Sequence, residues 1–183
     1  MLSDSEEILA SKLQLVGSSG WSQLQGNITS NLVIDVEGYG NNLPLPSVRN
    51  MAYSNDANLR KAAYLAEINA YKRVEDAVAM ALNNIKREVN IMMPLRHYES
   101  ALEKTLEQSR MSAATLNAMI EAIKEEAPRF REYLRLKGKM LGHNDGIPFY
   151  DMFAPVGKLT KEYSILEAKE LVLDVYYSFS DKL

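Results

Sequence analysis

The spacing of apolar residues in the middle of the chain predicts long helices. Over residues 59–92, apolar side chains recur in steps of three and four, which places them on one face of a helix. Asn55 or Asp56 would cap its start, and it would end near Met93 because the following proline disfavours helical angles. The many alanines in this stripe would let a partner helix approach closely. Its members are Leu59, Ala63, Ala66, Ala70, Val74, Ala77, Ala81, Ile85, Val89 and Met92.

Similar signals predict a second long helix from Ser112 to about Leu141, with Gly142 ending it. Pro128 lies inside this segment, and we expect a kink there because proline removes one backbone hydrogen bond. A shorter helix over residues 98–108 would precede it. Residues 41–137 contain no glycine, which favours long helices in this part of the chain.

The two ends of the chain follow other patterns. Residues 31–37 alternate between apolar and polar, which is the period of a half-buried strand, and residues 38–42 are typical of a turn. Residues 142–157 read as a loop with one short extended piece. A capping box that begins at Ser164 starts a last helix, which ends near Tyr177.

These patterns predict an all-α fold: a helical lobe with long antiparallel helices and one minor strand near residues 31–37. Residues 1–183 would form a single helical lobe or a fragment of a larger protein. Within it we expect an N-terminal segment (1–46), a long-helix core (47–141), and an aromatic loop with the final helix (142–183).

The composition of the chain argues against several classes of function. The chain carries 24 acidic and 21 basic residues, and its net charge of −3 argues against a nucleic-acid partner. The lack of cysteine excludes disulfides, thiolate zinc sites and cysteine nucleophiles. No apolar run reaches the 18 residues of a membrane span, and the first residues do not resemble a signal peptide. We therefore expect a soluble, cytoplasmic protein without a membrane partner.

Motifs for catalysis are also missing. The two histidines, His97 and His143, stand 46 residues apart and neither belongs to an H-E-x-x-H zinc motif. No serine lies in a G-x-S-x-G elbow. Residues 17–20 lack the lysine of a phosphate-binding loop and read as a flexible entry to the next segment. We predict no catalytic residue and no metal ligand in this chain. The aromatic residues of 148–155 either line a groove or pin the loop to the helices.

Several short motifs are informative through their order and spacing over residues 20–179. They are Gly20-Trp21 with Leu24, LRKAAY (59–64), LNNI (82–85) with Glu88-Val89, RHYESAL (96–102), YLRLKGKMLG (133–142), FYDMFAP (149–155), and Tyr163-Ser164 before EAKELV (167–172). Together they resemble the oligoendopeptidase F family of zinc metallo-oligopeptidases. The resemblance implies a mainly helical enzyme with two lobes around a channel that admits short peptides.

In that family, an H-E-x-x-H helix and a glutamate on a following helix hold the zinc, and the motif glutamate activates water. The motifs matched in this chain lie upstream of that helix. The resemblance therefore implies an internal fragment that forms the helical channel wall, with zinc only in the full-length enzyme and no cofactor in this chain. The fragment would be inactive alone, so whether this chain by itself is an enzyme stays open.

The resemblance also implies short peptides as substrates and the remaining catalytic half of the enzyme as a partner. Isolated from that half, the lobe would expose apolar surface and could form a homodimer. The candidate residues for the substrate channel are Arg96, His97, Tyr98 and Tyr150. The alternative is a stand-alone helical interaction module that binds a partner helix or peptide in the alanine-lined groove. A nucleotide or nucleic-acid binder is a weaker third interpretation.

Overall fold

The structure, a computed structural model, describes residues 2–157 and 163–180. The predicted mainly helical fold is confirmed. In chain order the elements are α1 (Asp4–Val16), α2 (Ser18–Ser30), β1 (Val33–Val36), β2 (Gly40–Pro44), α3 (Leu45–Asn50), a 3₁₀ turn (Met51–Tyr53), α4 (Ala57–Tyr71), α5 (Glu75–Leu95), α6 (Ala101–Gln108), α7 (Ala113–Met140), a second 3₁₀ turn (Phe149–Asp151) and α8 (Ile165–Phe179).

The predicted strand near residues 31–37 is present as β1. Leu32, Ile34 and Val36 are buried, and the residues between them, Val33 and Asp35, are exposed, as the alternation predicts. A second strand, β2, was not predicted from the sequence; it pairs with β1 in an antiparallel hairpin and occupies part of the predicted turn. The chain reverses at Gly38, whose φ of 78° is one that glycine adopts without strain.

The main core lies between this hairpin, α3 and α4. It buries small and branched apolar side chains of the kind that pack closely. The members of this core are Leu32, Ile34, Val36, Leu45, Val48, Ala63 and Ala70. The packing fixes which face of α4 turns inward, and therefore which residues of α4 are available for a site.

The prediction of one continuous helix over residues 55–93 is wrong, because the chain leaves the helical path between α4 and α5. Val74 adopts φ −127° and ψ 0°, and the N–H groups of Arg73 and Val74 bond to carbonyls three residues back. The side chain of Arg73 also donates to the carbonyl oxygen of Val33 in β1, which holds this corner against the hairpin. The helix then extends slightly beyond the predicted end, to Leu95.

The interpretation of residues 17–20 as a flexible entry is also wrong. Gly17 is the junction between two helices, and the next residues form the first turn of α2. The backbone N–H and the hydroxyl of Ser18 both donate to the carboxylate of Glu88 on α5. Helix α2 packs along α5, where Ala81 is fully buried. The chain's own α2 therefore covers part of the predicted alanine stripe.

The remaining helices agree with the predictions except at their ends. Helix α7 is capped by Ser112 and continues through Pro128, whereas α6 begins at Ala101, three residues later than predicted. The capping box at Ser164 is present at the start of α8. The expected extended piece within residues 142–157 is instead the second 3₁₀ turn. No helix in the described ranges is both long enough and apolar enough to span a bilayer.

Candidate functional site

A cleft of about 400 Å³ opens beside α4. Its walls come from α3, the first 3₁₀ turn, α4 and the segment 149–153. Aromatic and charged side chains dominate the lining, which is a combination that small-ligand and peptide sites share. These side chains are Tyr53, Tyr64, Phe149, Tyr150, Phe153, Arg49, Arg60 and Glu67.

Helical spacing places one wall of this cleft. Arg60, Tyr64 and Glu67 follow one another at intervals of four and three along α4, so they lie on one face. The tilted ring of Tyr64 lies 5.7 Å from that of Phe149 and 6.0 Å from that of Tyr150, measured between ring centres. Because these pairs join α4 to the 3₁₀ turn, they fix the distance between two walls of the cleft.

A second aromatic pair also lines the cleft. The ring centres of Tyr53 and Phe153 lie 5.4 Å apart, with their planes inclined at 43°. Both side chains are more than half exposed although they contact each other. The cleft therefore presents part of its aromatic surface to solvent.

A buried ion pair underlies the cleft. The Nε of Arg60 donates to Oδ1 of Asp151 over 2.7 Å, and its Nη1 donates to the carbonyl oxygen of Ser54 over 2.7 Å. The other carboxylate oxygen of Asp151 lies 2.6 Å from Nε2 of His143. Arg60 and Asp151 are both almost completely buried. Together these contacts tie the segment 149–153 to α4.

Opposing effects set the pKa of Asp151. Burial alone would raise it, but the hydrogen bonds and positive charges of Arg60 and His143 together leave the pKa of Asp151 below its ordinary value. The carboxyl group is therefore ionised at neutral pH. Because an ionised carboxylate only accepts hydrogen bonds, Nε2 of His143 carries a hydrogen and donates a hydrogen bond to Asp151.

Helix α7 also contacts the segment 149–153. The buried Lys137 donates from Nζ to the carbonyl oxygen of Met152 over 2.7 Å. A Cβ on the neighbouring Gly138 would lie only 3.3 Å from the backbone nitrogen of Ile147, so glycine allows this close approach. Three of the motifs that carry the family resemblance, LRKAAY, YLRLKGKMLG and FYDMFAP, thus meet beneath the cleft.

A polar network lies at the edge of the cleft. The Nε of Arg49 donates to Glu67 over 2.8 Å, and Tyr71 contacts both of these side chains through its hydroxyl. Burial and the hydrogen bond to Glu67 raise the pKa of Tyr71, so its hydroxyl stays protonated. Arg49 and Glu67 neutralise each other, as Arg60 and Asp151 do below.

Of the four predicted channel residues, the cleft contains only Tyr150 among its described lining. Arg96 ends α5 and forms an ion pair with Glu7 on α1, with an N–O distance of 2.6 Å. His97 follows in a left-handed conformation with φ 59°. Partial burial and a hydrogen bond to Glu107 raise the pKa of Tyr98. The assignment of these residues to a substrate channel stays a prediction.

Arg60 and Asp151 were not predicted as site residues from the sequence. A local signal existed in each case: Arg60 lies between Leu59 and Ala63 of the apolar stripe, and Asp151 lies within an aromatic loop. Neither signal predicts that the two residues pair with each other, because 91 positions separate them in the sequence.

Comparison with known proteins places the chain in a family. Residues 50–179 match the sequence profile of Peptidase family M3, which is well over half of the chain. The chain belongs to Peptidase family M3. The resemblance to oligoendopeptidase F is confirmed at the level of this family.

Two relatives give the scale of the similarity. The chain is 25% identical over 178 residues to Oligopeptidase PepF of Bacillus subtilis (strain 168), covering 94% of the chain and 26% of that protein. It is 25% identical over 129 residues to Oligoendopeptidase F, chromosomal, of Lactococcus lactis subsp. cremoris, covering 70% of the chain and 21% of that protein. No solved structure matches the chain. The chain thus spans only a fifth to a quarter of the length of these M3 relatives.

The donor atoms on the described residues do not fit the zinc centre that family M3 implies. Within residues 2–157 and 163–180, no three histidine, aspartate or glutamate side chains come together as a metal ion would need. His143 is committed to Asp151, which also serves Arg60. We therefore derive no catalytic step through a metal at these residues.

Proposed function

We propose that this chain is the helical part of a zinc-dependent oligoendopeptidase that hydrolyses short peptides in the cytoplasm. In this proposal the chain forms a wall of the channel through which peptides reach the catalytic residues. The observation that carries the proposal is the family M3 match over residues 50–179, in a chain that covers about a quarter of an oligopeptidase.

Two properties of the structure support a role as a wall. The buried Arg60–Asp151 pair and Lys137 anchor the segment 149–153, which carries three of the aromatic side chains of the cleft. In contrast, α7 and α8 expose large apolar side chains, a pattern typical of surfaces that another part of a protein covers. These side chains include Met119, Ile120, Ile123, Phe130, Leu136, Leu166, Leu171, Val172, Val175 and Phe179.

The proposal assigns catalysis to the remaining half of the enzyme. That half would supply the zinc and the glutamate that activates water, and it would pack against the apolar faces of α7 and α8. The chain by itself would then bind no zinc and cleave no peptide. Both properties are predictions that can be measured directly.

The first experiment uses the purified chain. We expect less than one equivalent of zinc after dialysis, measured by mass spectrometry of the metal, and no cleavage of internally quenched fluorescent peptides. One tightly bound zinc, or turnover that a chelator abolishes, would contradict the assignment of catalysis to another part of the enzyme.

The second experiment uses the complete natural reading frame. We expect it to encode an H-E-x-x-H motif beyond the matched region, and its product to cleave the same fluorescent peptides in a chelator-sensitive reaction. A reading frame without that motif would overturn the proposal.

A further inference from the structure

We propose that the cleft beside α4 is a pocket for an aromatic side chain of a short peptide. The choice of a peptide as the ligand rests on the proposed function. The pocket itself rests on the geometry of the cleft, which is lined by rings from two parts of the chain: Tyr53 and Tyr64, and the segment 149–153.

Exposure of the aromatic rings is the first argument. Tyr53, Phe149 and Phe153 are 61%, 65% and 51% exposed, although each lines the cleft and contacts another ring. Concentrated aromatic exposure of this kind is typical of surfaces that bind a partner. The existing pairs are tilted, which leaves ring faces and edges for the offset or edge-to-face contacts that a further ring prefers.

Size and charge restrict the ligand. A volume of about 400 Å³ lies in the range of small-ligand sites and accommodates one large side chain with its adjoining backbone. The cations Arg49 and Arg60 are each paired with a carboxylate, from Glu67 and Asp151 respectively. The cleft thus offers little net charge, which favours an uncharged ring over a charged side chain.

Arg60 lines the cleft with only 4% of its surface exposed. Arg60 uses Nε and Nη1 to contact Asp151 and Ser54, and neither contact engages its Nη2. The proposal pairs this nitrogen with a carbonyl oxygen of the peptide backbone. The buried ion pair fixes the guanidinium beforehand, so little side-chain entropy is lost on binding.

The test compares two blocked tripeptides, acetyl-Gly-Phe-Gly-amide and acetyl-Gly-Ala-Gly-amide. Each is titrated into the ¹⁵N-labelled chain, and binding is followed through backbone amide shifts. We expect about tenfold tighter binding of the phenylalanine peptide, which corresponds to roughly 1.4 kcal/mol. The largest shifts should come from residues around Tyr64 and the segment 149–153.

A matched pair of variants tests the location. Phe149→Ala removes a ring that is 65% exposed in the cleft, whereas Phe130→Ala removes a ring that is 67% exposed on α7, outside it. Because both rings are largely exposed, both variants should fold, which circular dichroism would verify. Tyr53→Ala provides a second variant in the cleft. We expect the preference for phenylalanine to disappear in the cleft variants and to remain in Phe130→Ala.

Three results would overturn the inference: equal binding of the two peptides, equal effects of Phe149→Ala and Phe130→Ala, or a dimer that only the cleft variants dissociate. The last result would identify a second copy of the chain as the occupant. None of these results bears on zinc or turnover, so the proposed function could stand while the pocket fails. Conversely, phenylalanine-specific binding would persist if the reading frame lacked the zinc motif.

Discussion

Arg60 and Asp151 illustrate how much one residue pair contributes to the site. Each is almost completely buried. Replacing Asp151 removes the carboxylate partner of Arg60, and replacing Arg60 leaves Asp151 with His143 as its remaining side-chain partner. Such a loss typically costs more than the pair contributes as a whole, because the remaining charge has been removed from water. The pair joins α4 to the segment 149–153, so the cleft depends on it.

We predict that Asp151→Asn lowers the free energy of unfolding by about 3–5 kcal/mol, the usual cost of breaking a buried ion pair. Urea denaturation followed by circular dichroism would measure this change. Asp145→Asn is the matched control, since Asp145 is an exposed carboxylate in the same loop. Its effect should stay within about 0.5 kcal/mol. Equal effects of the two variants would contradict the role of the ion pair.

The same pair predicts a pH dependence of stability. The pKa of Asp151 is lower in the folded chain than its ordinary value of 3.8. Its contribution to stability is therefore complete above pH 3.8 and is lost as the pH falls further, through the folded-state pKa. The difference in unfolding free energy between the natural chain and Asp151→Asn should shrink in that range. A difference that stays constant down to pH 2 would contradict this linkage.

Predictions for single residues were accurate where the structural feature depends only on neighbouring residues in the sequence. The caps at Ser112 and Ser164 and the alternation of Leu32, Ile34 and Val36 depend only on near neighbours in the chain. The pairing of Arg60 with Asp151 depends on how distant segments pack, and no local pattern encodes it.

At the level of elements, the sequence predicted helices better than the corners between them. The apolar periodicity continues from Ala70 through Val74 to Ala77, so the corner between α4 and α5 leaves no gap in the stripe. Glu75 and Asp76 could have indicated that a new helix starts here, because acidic residues favour the first turn of a helix. The hairpin partner β2 was missed since it consists largely of turn-type residues.

The junction of α1 and α2 gives a prediction at this scale. A Cβ at Gly17 would lie 2.3 Å from Oε2 of Glu88, the carboxylate that accepts from Ser18 at the start of α2. Gly17→Ala should therefore displace Glu88 and lower the free energy of unfolding by about 1–3 kcal/mol, the cost of losing charged hydrogen bonds.

Gly26 is the matched control for this substitution. It lies within α2, and a Cβ there would meet nothing within 4 Å. Gly26→Ala should stabilise the chain by about 0.5–1 kcal/mol, because alanine restricts the unfolded chain and favours helix. Thermal unfolding of both variants would measure the two effects. A stabilising Gly17→Ala would show that Glu88 does not hold α2 against α5.

For the whole molecule, the sequence indicated the fold class and the family, and both are confirmed. Helical periodicity and ordered motifs are properties of the linear chain, so they can be read without coordinates. The cleft could not be predicted in the same way. Its walls come from α3, α4 and the segment 149–153, and their meeting depends on contacts between residues far apart in sequence.

The exposed apolar faces of α7 and α8 lead to a prediction about assembly. In the isolated chain, these faces should associate with a second copy, because burying apolar area is favourable in water. Sedimentation velocity should show a dimer fraction that grows over about a hundredfold range of concentration. Ile123→Lys on α7 should reduce that fraction. Met80→Lys on α5, where the replaced side chain is exposed to a similar extent, should leave it unchanged. A monomer at every concentration would mean that the face of α7 does not drive association, and would weaken the argument that the catalytic half covers it.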